Sequence, residues 1–380
     1  MRILHTSDWH LGKRLFKLDR SPEHERFLDW LIKTLIREKI DLLLVAGDIF
    51  DTPTPPHQSL EIFYDFLHRV STETTTQTLI IAGNHDSGLL LEAPSKILAP
   101  HRVNVWGKLS VNTEDHWLNI KVRSEEIDIC AIPFFRSYEL LPNGEGDALS
   151  ALKNYLTRPK SSPQILMLHH LAGIFEAAGS EQVITLSGVD SIPAEILNGF
   201  DYVALGHIHK PQKISSNAYY SGSPIPMRFS ETHKKSVMIL EVKDKVITTS
   251  KLEIPLSRSL HIIKADENNW REKIATLEKR SELTPMVEMQ LYLTQPMVGL
   301  IDEIKERILK KEMELLSYQP NYSGTEKKEK RHERLFELSP LEVFQEFYKH
   351  KYPDAPEVPR DLKEDFKELI QKVVNASDQT

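Results

Sequence analysis

Leu42-Leu43-Leu44-Val45-Ala46-Gly47-Asp48-Ile49-Phe50-Asp51 is the stretch that decides how this chain folds. Five apolar residues, too few for a buried helix and closed by glycine, read as a strand covered on both faces. Gly47 permits a sharp exit, so Asp48 is delivered just past the strand end. The same punctuation recurs along the chain. The opening run leads to Asp8-Trp9-His10, Leu79-Ile80-Ile81-Ala82 to Gly83-Asn84-His85-Asp86, and Val203-Ala204-Leu205 to Gly206-His207-Ile208-His209. Ile165-Leu166-Met167-Leu168 ends in His169-His170.

Chemistry explains these residue types. Hydrolysis of a phosphate diester is so slow that an enzyme must lower the barrier by on the order of 20 kcal/mol. Two divalent ions about 3.5 to 4 Å apart can clamp the attacking and leaving oxygens and make a bridging water acidic near neutral pH. One ligand must touch both ions, and a carboxylate does so best; Asp48 is the candidate. Asp8 and His10 lie two apart on a segment expected to be extended, so they share a face, and His207 and His209 repeat the spacing. Asn84 would offer its amide oxygen. His85 sits beside the cluster as the expected acid, able to stabilise the transition state and protonate the leaving oxygen. For the last ligand His169, the first residue past its apolar run, is favoured, with His170 as the alternative. Any one fragment is commonplace in a surface loop; four glycine-marked clusters of metal-compatible residues at strand ends are not.

These motifs resemble the calcineurin-like metallophosphoesterase superfamily, and within it the SbcD family of bacterial nuclease subunits. Met1-Arg2-Ile3-Leu4-His5-Thr6-Ser7-Asp8-Trp9-His10-Leu11-Gly12 and Tyr220-Ser221-Gly222-Ser223-Pro224-Ile225-Pro226 carry the closer likeness, which runs nearly end to end. The resemblance implies an αββα sandwich of four layers with a small α/β capping domain. It implies a coiled-coil ATPase partner of the SbcC type, with a homodimer of this chain inside a heterotetramer. The implied activity is trimming of double-stranded DNA ends in the 3'-to-5' direction and cutting of single strands and hairpins, in DNA repair, recombination and replication. Two manganese ions are implied, one held by Asp8, His10, Asp48 and His209, the other by Asp48, Asn84, His169 and His207, with His85 as the catalytic histidine. Some relatives have a second histidine three residues after the bridging aspartate. Here that position is Asp51, expected to orient the loop instead.

Composition fits without deciding. The 380 residues, 40% of them hydrophobic, suit two or three ordinary soluble domains. No charged-then-apolar leader opens the sequence, and no apolar run approaches the ~20 residues that span a bilayer. The single Cys130 excludes an internal disulfide and suits a reducing cytoplasm. A net charge of -7 is the main objection to a DNA partner. Local clusters answer it: Lys13, Arg14, Lys17 and Arg20 follow the first motif, Lys210 and Lys213 the last, and Arg228, Lys234 and Lys235 come soon after. Lys13, Arg14 and Arg228 are the candidate phosphate contacts, against the alternative of solvated loop charges.

Helices alternate with strands to about residue 256, an α/β (α+β) pattern. Ser21 reads as a helix cap with Pro22 at the first turn, and Phe27, Leu28, Leu31, Ile32, Leu35 and Ile36 as the buried stripe. A second helix carries Leu60, Phe63, Tyr64, Leu67 and Val70, and 237–242 with 246–254 form a hairpin. Residues 1–256 are thus expected to be the phosphoesterase domain. Residues 257–317 read as a separate small α/β unit, which the resemblance makes the capping domain, with strands expected at 260–263 and 286–293 and helices at 269–282 and 298–316. A charged linker comes next at 318–334, then a helical ATPase-binding segment at 335–380. In that segment Leu341, Phe344, Phe347, Phe366, Leu369 and Ile370 supply the apolar faces, too little to be buried alone, and docking on the ATPase, as the resemblance implies, is preferred to packing back on the phosphoesterase domain. A phosphatase for proteins or small molecules would need neither extra segment. A decayed scaffold would not have kept every ligand position.

Overall fold

Successive side chains of a strand point to opposite faces, and the apolar runs fill both. Leu4, Leu43, Val45 and Ile80 join one buried cluster, while Ile3, Leu42, Leu44, Leu79 and Ile81 join another. The computed structural model describes residues 1–141, 146–177 and 192–322, then 344–345, 347–348, 351, 358–359, 362–363 and 366. Six strands form the first sheet, in the order Val246–Glu253, Ser236–Lys243, Arg2–Thr6, Leu42–Ala46, Gln77–Ile81, Val103–Trp106. The last four run parallel, and Ser236–Lys243 pairs antiparallel with both its neighbours. A second six-stranded sheet has the order Gln212–Lys213, Ala218–Tyr220, Tyr202–Gly206, Gln164–His169, Glu125–Ile132, Trp117–Val122. Ile3, Leu42 and Leu44 meet Ile129, Ile165, Met167 and Ala204 between the sheets. Helices Ser21–Arg37 and His57–Glu73 cover the outer face of the first sheet, and Leu140, Leu152 and Leu197 from three helices cover that of the second. This is the four-layer αββα sandwich.

Details differ from expectation for physical reasons. Arg20, not Ser21, is the cap of the first long helix. Ser21 lies in its first turn, where its N–H and hydroxyl both donate to Asp19 Oδ1. Ile36 is exposed while Phe27, Leu28, Leu31, Ile32 and Leu35 are buried, and in the second helix Phe66 is buried where Tyr64 is not. Leu31 packs between the layers with no exposed surface. Leu31→Ala should cost about 2 to 5 kcal/mol, measured as a shift in the urea midpoint; a cost below about 1 kcal/mol would show that this layer is loosely packed.

The chain divides into two compact units: Met1–Ile262 with Thr276–Glu288 and Ile304–Ser317, and Ile263–Ala275 with Met289–Glu303 and the described residues from Tyr318 on. A three-stranded sheet has the order Leu260–Asp266, Met286–Leu293, Glu314–Tyr322. The helix expected at 269–282 is only Trp270–Ala275. Beyond it the chain leaves the helix, and Leu283 N–H donates to Ser257 O and Met286 N–H to Ser259 O ahead of the next strand. The helix expected at 298–316 is Leu300–Leu309. Glu312 takes a left-handed conformation and Met313 N–H reaches Ile308 O, a C-terminal stop usually built on glycine. Residues 314–322 are then free to form a strand, which extends into the stretch expected to be linker. Leu341, Leu369 and Ile370 lie outside the described residues. Phe344 and Phe366 stack with centroids 4.1 Å apart, and Phe347 is exposed. Among the described residues no helix is long and apolar enough to cross a membrane.

Candidate metal centre

The strands Arg2–Thr6, Leu42–Ala46 and Gln77–Ile81 of one sheet, and Gln164–His169 and Tyr202–Gly206 of the other, release their next residues toward one place. The sheets approach so closely there that a Cβ on Gly206 would stand 1.8 Å from Ala46 O, and one on Gly47 would stand 2.3 Å from His169 Nδ1. Glycine is required at both positions because there is no room for a side chain. Asp8 and His10 do not share a face of an extended segment, as the spacing suggested, nor do His207 and His209. The strand ends at Thr6, and Asp8, His10, Asp48 and His207 have φ of 54°, 49°, 51° and 104°. They are four of the eleven described non-glycine residues at positive φ. Asp and His tolerate that region better than most, and such strain concentrates at functional sites.

Backbone hydrogen bonds fix these turns. Asp8 N–H donates to Gly47 O and His10 N–H to Asp48 O, both at 3.0 Å, while His207 N–H donates to Asp8 Oδ1 at 2.8 Å. Asp86 accepts from the N–H groups of Gly83, Ile49 and Phe50, locking the Asp48 and Asn84 loops together. Its place directly after Asn84-His85 and near Gly83 is visible in the sequence, but Phe50 and Ile49 lie 36 and 37 residues away and give no local signal. Ser7 Oγ donates to Asp8 Oδ2 and also contacts Ser221 Oγ, a link joining the two segments that carry the family likeness.

Two donor sets emerge. Asp8, His10 and His209 converge in one, Asp48, His169 and His207 in the other, with all ligand atoms of a set within 4.8 Å of one another. Asp48 Oδ2 lies 3.5 Å from His10 Nε2 and 3.4 Å from His169 Nε2, so it stands between the sets. Asn84 Oδ1 lies 2.8 Å from His207 Nδ1 and 3.2 Å from His169 Nε2. His10 Nε2 and His209 Nε2 face each other at 3.0 Å. His169 thus joins the cluster. His170 instead places Nε2 2.9 Å from Phe135 O and stacks on Phe134 and Phe135. His85 sits against the cluster: its N–H donates to Asp48 Oδ1 at 2.9 Å, and its ring meets His10 edge-on at 4.9 Å. Its Nδ1 is 2.9 Å from Asp51 O, while the Asp51 carboxylate lies 3.4 Å from His10 Nδ1. A third grouping of His10, Asp51 and His85 results.

Electrostatics fit cations. Burial pushes Asp8 up to about 6, with His169 pulling it down and Asp48 repelling it upward. Burial would also raise Asp48, but His169 and His10 hold it well below the usual carboxylate range. His169, despite burial, is lifted to about 9 chiefly by Asp48, while burial drops His207 to about 3. Inward-facing imidazole nitrogens, two carboxylates and an amide oxygen suit divalent ions, and in the metal-free cluster a proton on His169 stands in for part of that positive charge.

The basic residues divide. Lys13 is partly buried and paired with Asp51 at 2.9 Å, whereas Arg14 and Arg228 are exposed. Arg20 and Lys235 depart from the expected surface ring: both are buried, paired with Glu23 and Glu231. Neither belongs to a surface ring of phosphate contacts. Lys210 pairs with Glu176 and Lys234 with Glu253.

A four-layer sandwich with such a cluster at its strand ends defines a metallophosphoesterase, a hydrolase. A family model described as calcineurin-like phosphoesterase matches residues 1–211, and one described as type 5 capsule protein repressor C-terminal domain matches 257–352. The SbcD subunit of the SbcCD nuclease from Escherichia coli K12 is 32% identical over 292 residues, covering 70% of this chain and 71% of that one. Its counterpart in Staphylococcus saprophyticus is 28% identical over 315 residues, covering 79% and 81%. A solved dimetal phosphatase from Danio rerio aligns at 13% identity and a TM-score of 0.40, over 67% of this chain and 99% of that one. The chain belongs to the SbcD family of calcineurin-like phosphoesterases.

Proposed function

We propose that this chain is the metal-dependent nuclease subunit of a DNA end-processing complex. The observation that carries this is a pair of donor sets sharing Asp48, with His85 against them, in a chain of the SbcD family. Asp8, His10, Asp48 and His209 would hold one ion, and Asp48, Asn84, His169 and His207 the other. The mixed donors suit manganese, iron or zinc, and manganese is our choice. When bound, two divalent ions supply Lewis acidity to the phosphate and a water acidic near neutral pH. The chain's own residues do the rest. His85 Nδ1 faces a carbonyl and must donate to it, so Nε2 would give a proton to the leaving oxygen only from the imidazolium, with both ring nitrogens protonated beforehand. Arg14 and Arg228, with Lys13, would take the flanking phosphates.

The substrates are double-stranded DNA ends, trimmed 3'-to-5', and single strands and hairpins, cut internally, in repair, recombination and replication. The partner is a coiled-coil ATPase of the SbcC type, engaged by residues 335–380 including Phe344, Phe347 and Phe366. Two copies of this chain would stand in a cytoplasmic heterotetramer, and residues 257–317 would cap the site and guide DNA. Cleavage of an end-labelled hairpin by the purified chain with Mn2+, lost with chelator, beside little turnover of an aryl phosphate monoester, is the expected result. Rapid monoester turnover with intact DNA would make it a phosphatase instead.

Ligands must be deprotonated to bind metal. The metal-free site holds a proton on His169 below about 9 and a second on Asp8 below about 6. Mn2+ affinity should therefore rise with pH up to about 9, by up to about tenfold per unit between 6 and 9 and more steeply below 6. Calorimetry in two buffers of different ionisation heat checks this through proton release near one per protein at pH 7.5. No proton release would refute it.

A further inference from the structure

The two imidazoles whose Nε2 atoms face each other, His10 and His209, each have a lysine-paired carboxylate behind them. Asp51 Oδ1 lies 3.4 Å from His10 Nδ1 and 2.9 Å from Lys13 Nζ. Glu231 Oε1 lies 3.8 Å from His209 Nδ1, and its other oxygen, Oε2, accepts from Lys235 Nζ. Lys235 also donates to Ser223 Oγ at 2.9 Å and to His209 O at 3.3 Å, so one ammonium anchors both the carboxylate and the backbone of the histidine it backs. The side chains of Glu231 and Lys235 are 0% and 2% exposed. A buried ion pair is a poor device for stability alone, since desolvating both charges offsets most of their attraction. A buried carboxylate behind a ligating imidazole has another use. It holds the proton on the far nitrogen, so that the near nitrogen presents its lone pair and becomes a stronger donor. At 3.8 Å Glu231 acts by charge rather than by a hydrogen bond.

The other donor set is built differently. His169 Nδ1 lies 2.8 Å from the neutral Ala46 carbonyl, and His207 turns its Nδ1 inward, 2.8 Å from Asn84 Oδ1. Neither contact brings a carboxylate behind the ring.

We infer that Asp51 and Glu231 are positioning residues that favour the Nδ1–H tautomer of His10 and His209 when an ion lies between their facing Nε2 atoms, making the two ions inequivalent. An ion on Asp8, His10 and His209 would be backed by carboxylate charge, whereas in the other set the group behind His169 is the neutral Ala46 carbonyl. This rests on the two-ion reading of the cluster. Titration of the full chain with Mn2+ alone, by calorimetry, tests it on Glu231→Gln and Asp51→Asn, both shape-conserving. Each variant should weaken one of the two equivalents about 10- to 100-fold and leave the other within about threefold. Equal weakening of both equivalents, or unchanged binding alongside a lower melting temperature, would overturn the inference and leave the carboxylates merely structural. Should Glu231→Gln fail to fold, Asp51→Asn, at a partly exposed position, decides. A wild-type chain that takes up no Mn2+ would instead sink the two-ion reading itself.

Discussion

His85→Ala should cut DNA roughly 10²- to 10⁴-fold more slowly than the wild-type chain while still taking up two equivalents of Mn2+. The ring belongs to neither of the two donor sets that flank Asp48. His85 gives Asp48 a backbone N–H, at 2.9 Å, and the alanine variant keeps it. The variant loses the imidazole, whose Nδ1 lies 2.9 Å from Asp51 O and whose ring meets His10 edge-on, the group proposed as the acid. Single-turnover cleavage of the labelled hairpin, with metal content measured on the same sample, separates the two effects. A variant that cuts at the wild-type rate removes His85 from the mechanism. One that arrives without metal makes it a ligand.

Asp48→Asn is expected to have the larger effect on the centre. Its Oδ1 can still accept from His85 N–H and its volume is unchanged, so packing survives. The charge standing 3.5 Å from His10 and 3.4 Å from His169 is gone. Both Mn2+ equivalents should weaken, each by at least about 100-fold, because a shared carboxylate is a ligand to both. His169, lifted to about 9 mainly by Asp48, should titrate lower in the metal-free variant. Calorimetry and histidine titration by NMR read these separately. Loss of one equivalent with the other intact would show that Asp48 serves a single ion.

Much of this was legible in the residues. Apolar runs closed by Gly47, Gly83 and Gly206 mark strand ends, and residues just past the ends of strands in a covered sheet can reach a common edge. Spacing alone misleads at His207 and His209: a separation of two suggests one shared face, whereas the family resemblance divides them between the two ions, and the donor sets divide in the same way, with His207 at positive φ. The choice of His169 over His170 rested on which came first after the run. The structure gives a physical reason, since the Phe134 and Phe135 rings and the Phe135 carbonyl occupy His170. Charge counting failed at Arg20 and Lys235, because their partners Glu23 and Glu231 are close in sequence yet nothing local shows that the pairs are buried. The missed strand Glu314–Tyr322 comes after a helix stopped by Glu312 in a left-handed turn, where glycine would have been the visible signal.

The most direct test of the central claim is anomalous scattering at the manganese edge from crystals grown with Mn2+. Two peaks about 3.5 to 4 Å apart with the Asp48 carboxylate between them are predicted. A single peak, or two peaks that do not share Asp48, would contradict the account.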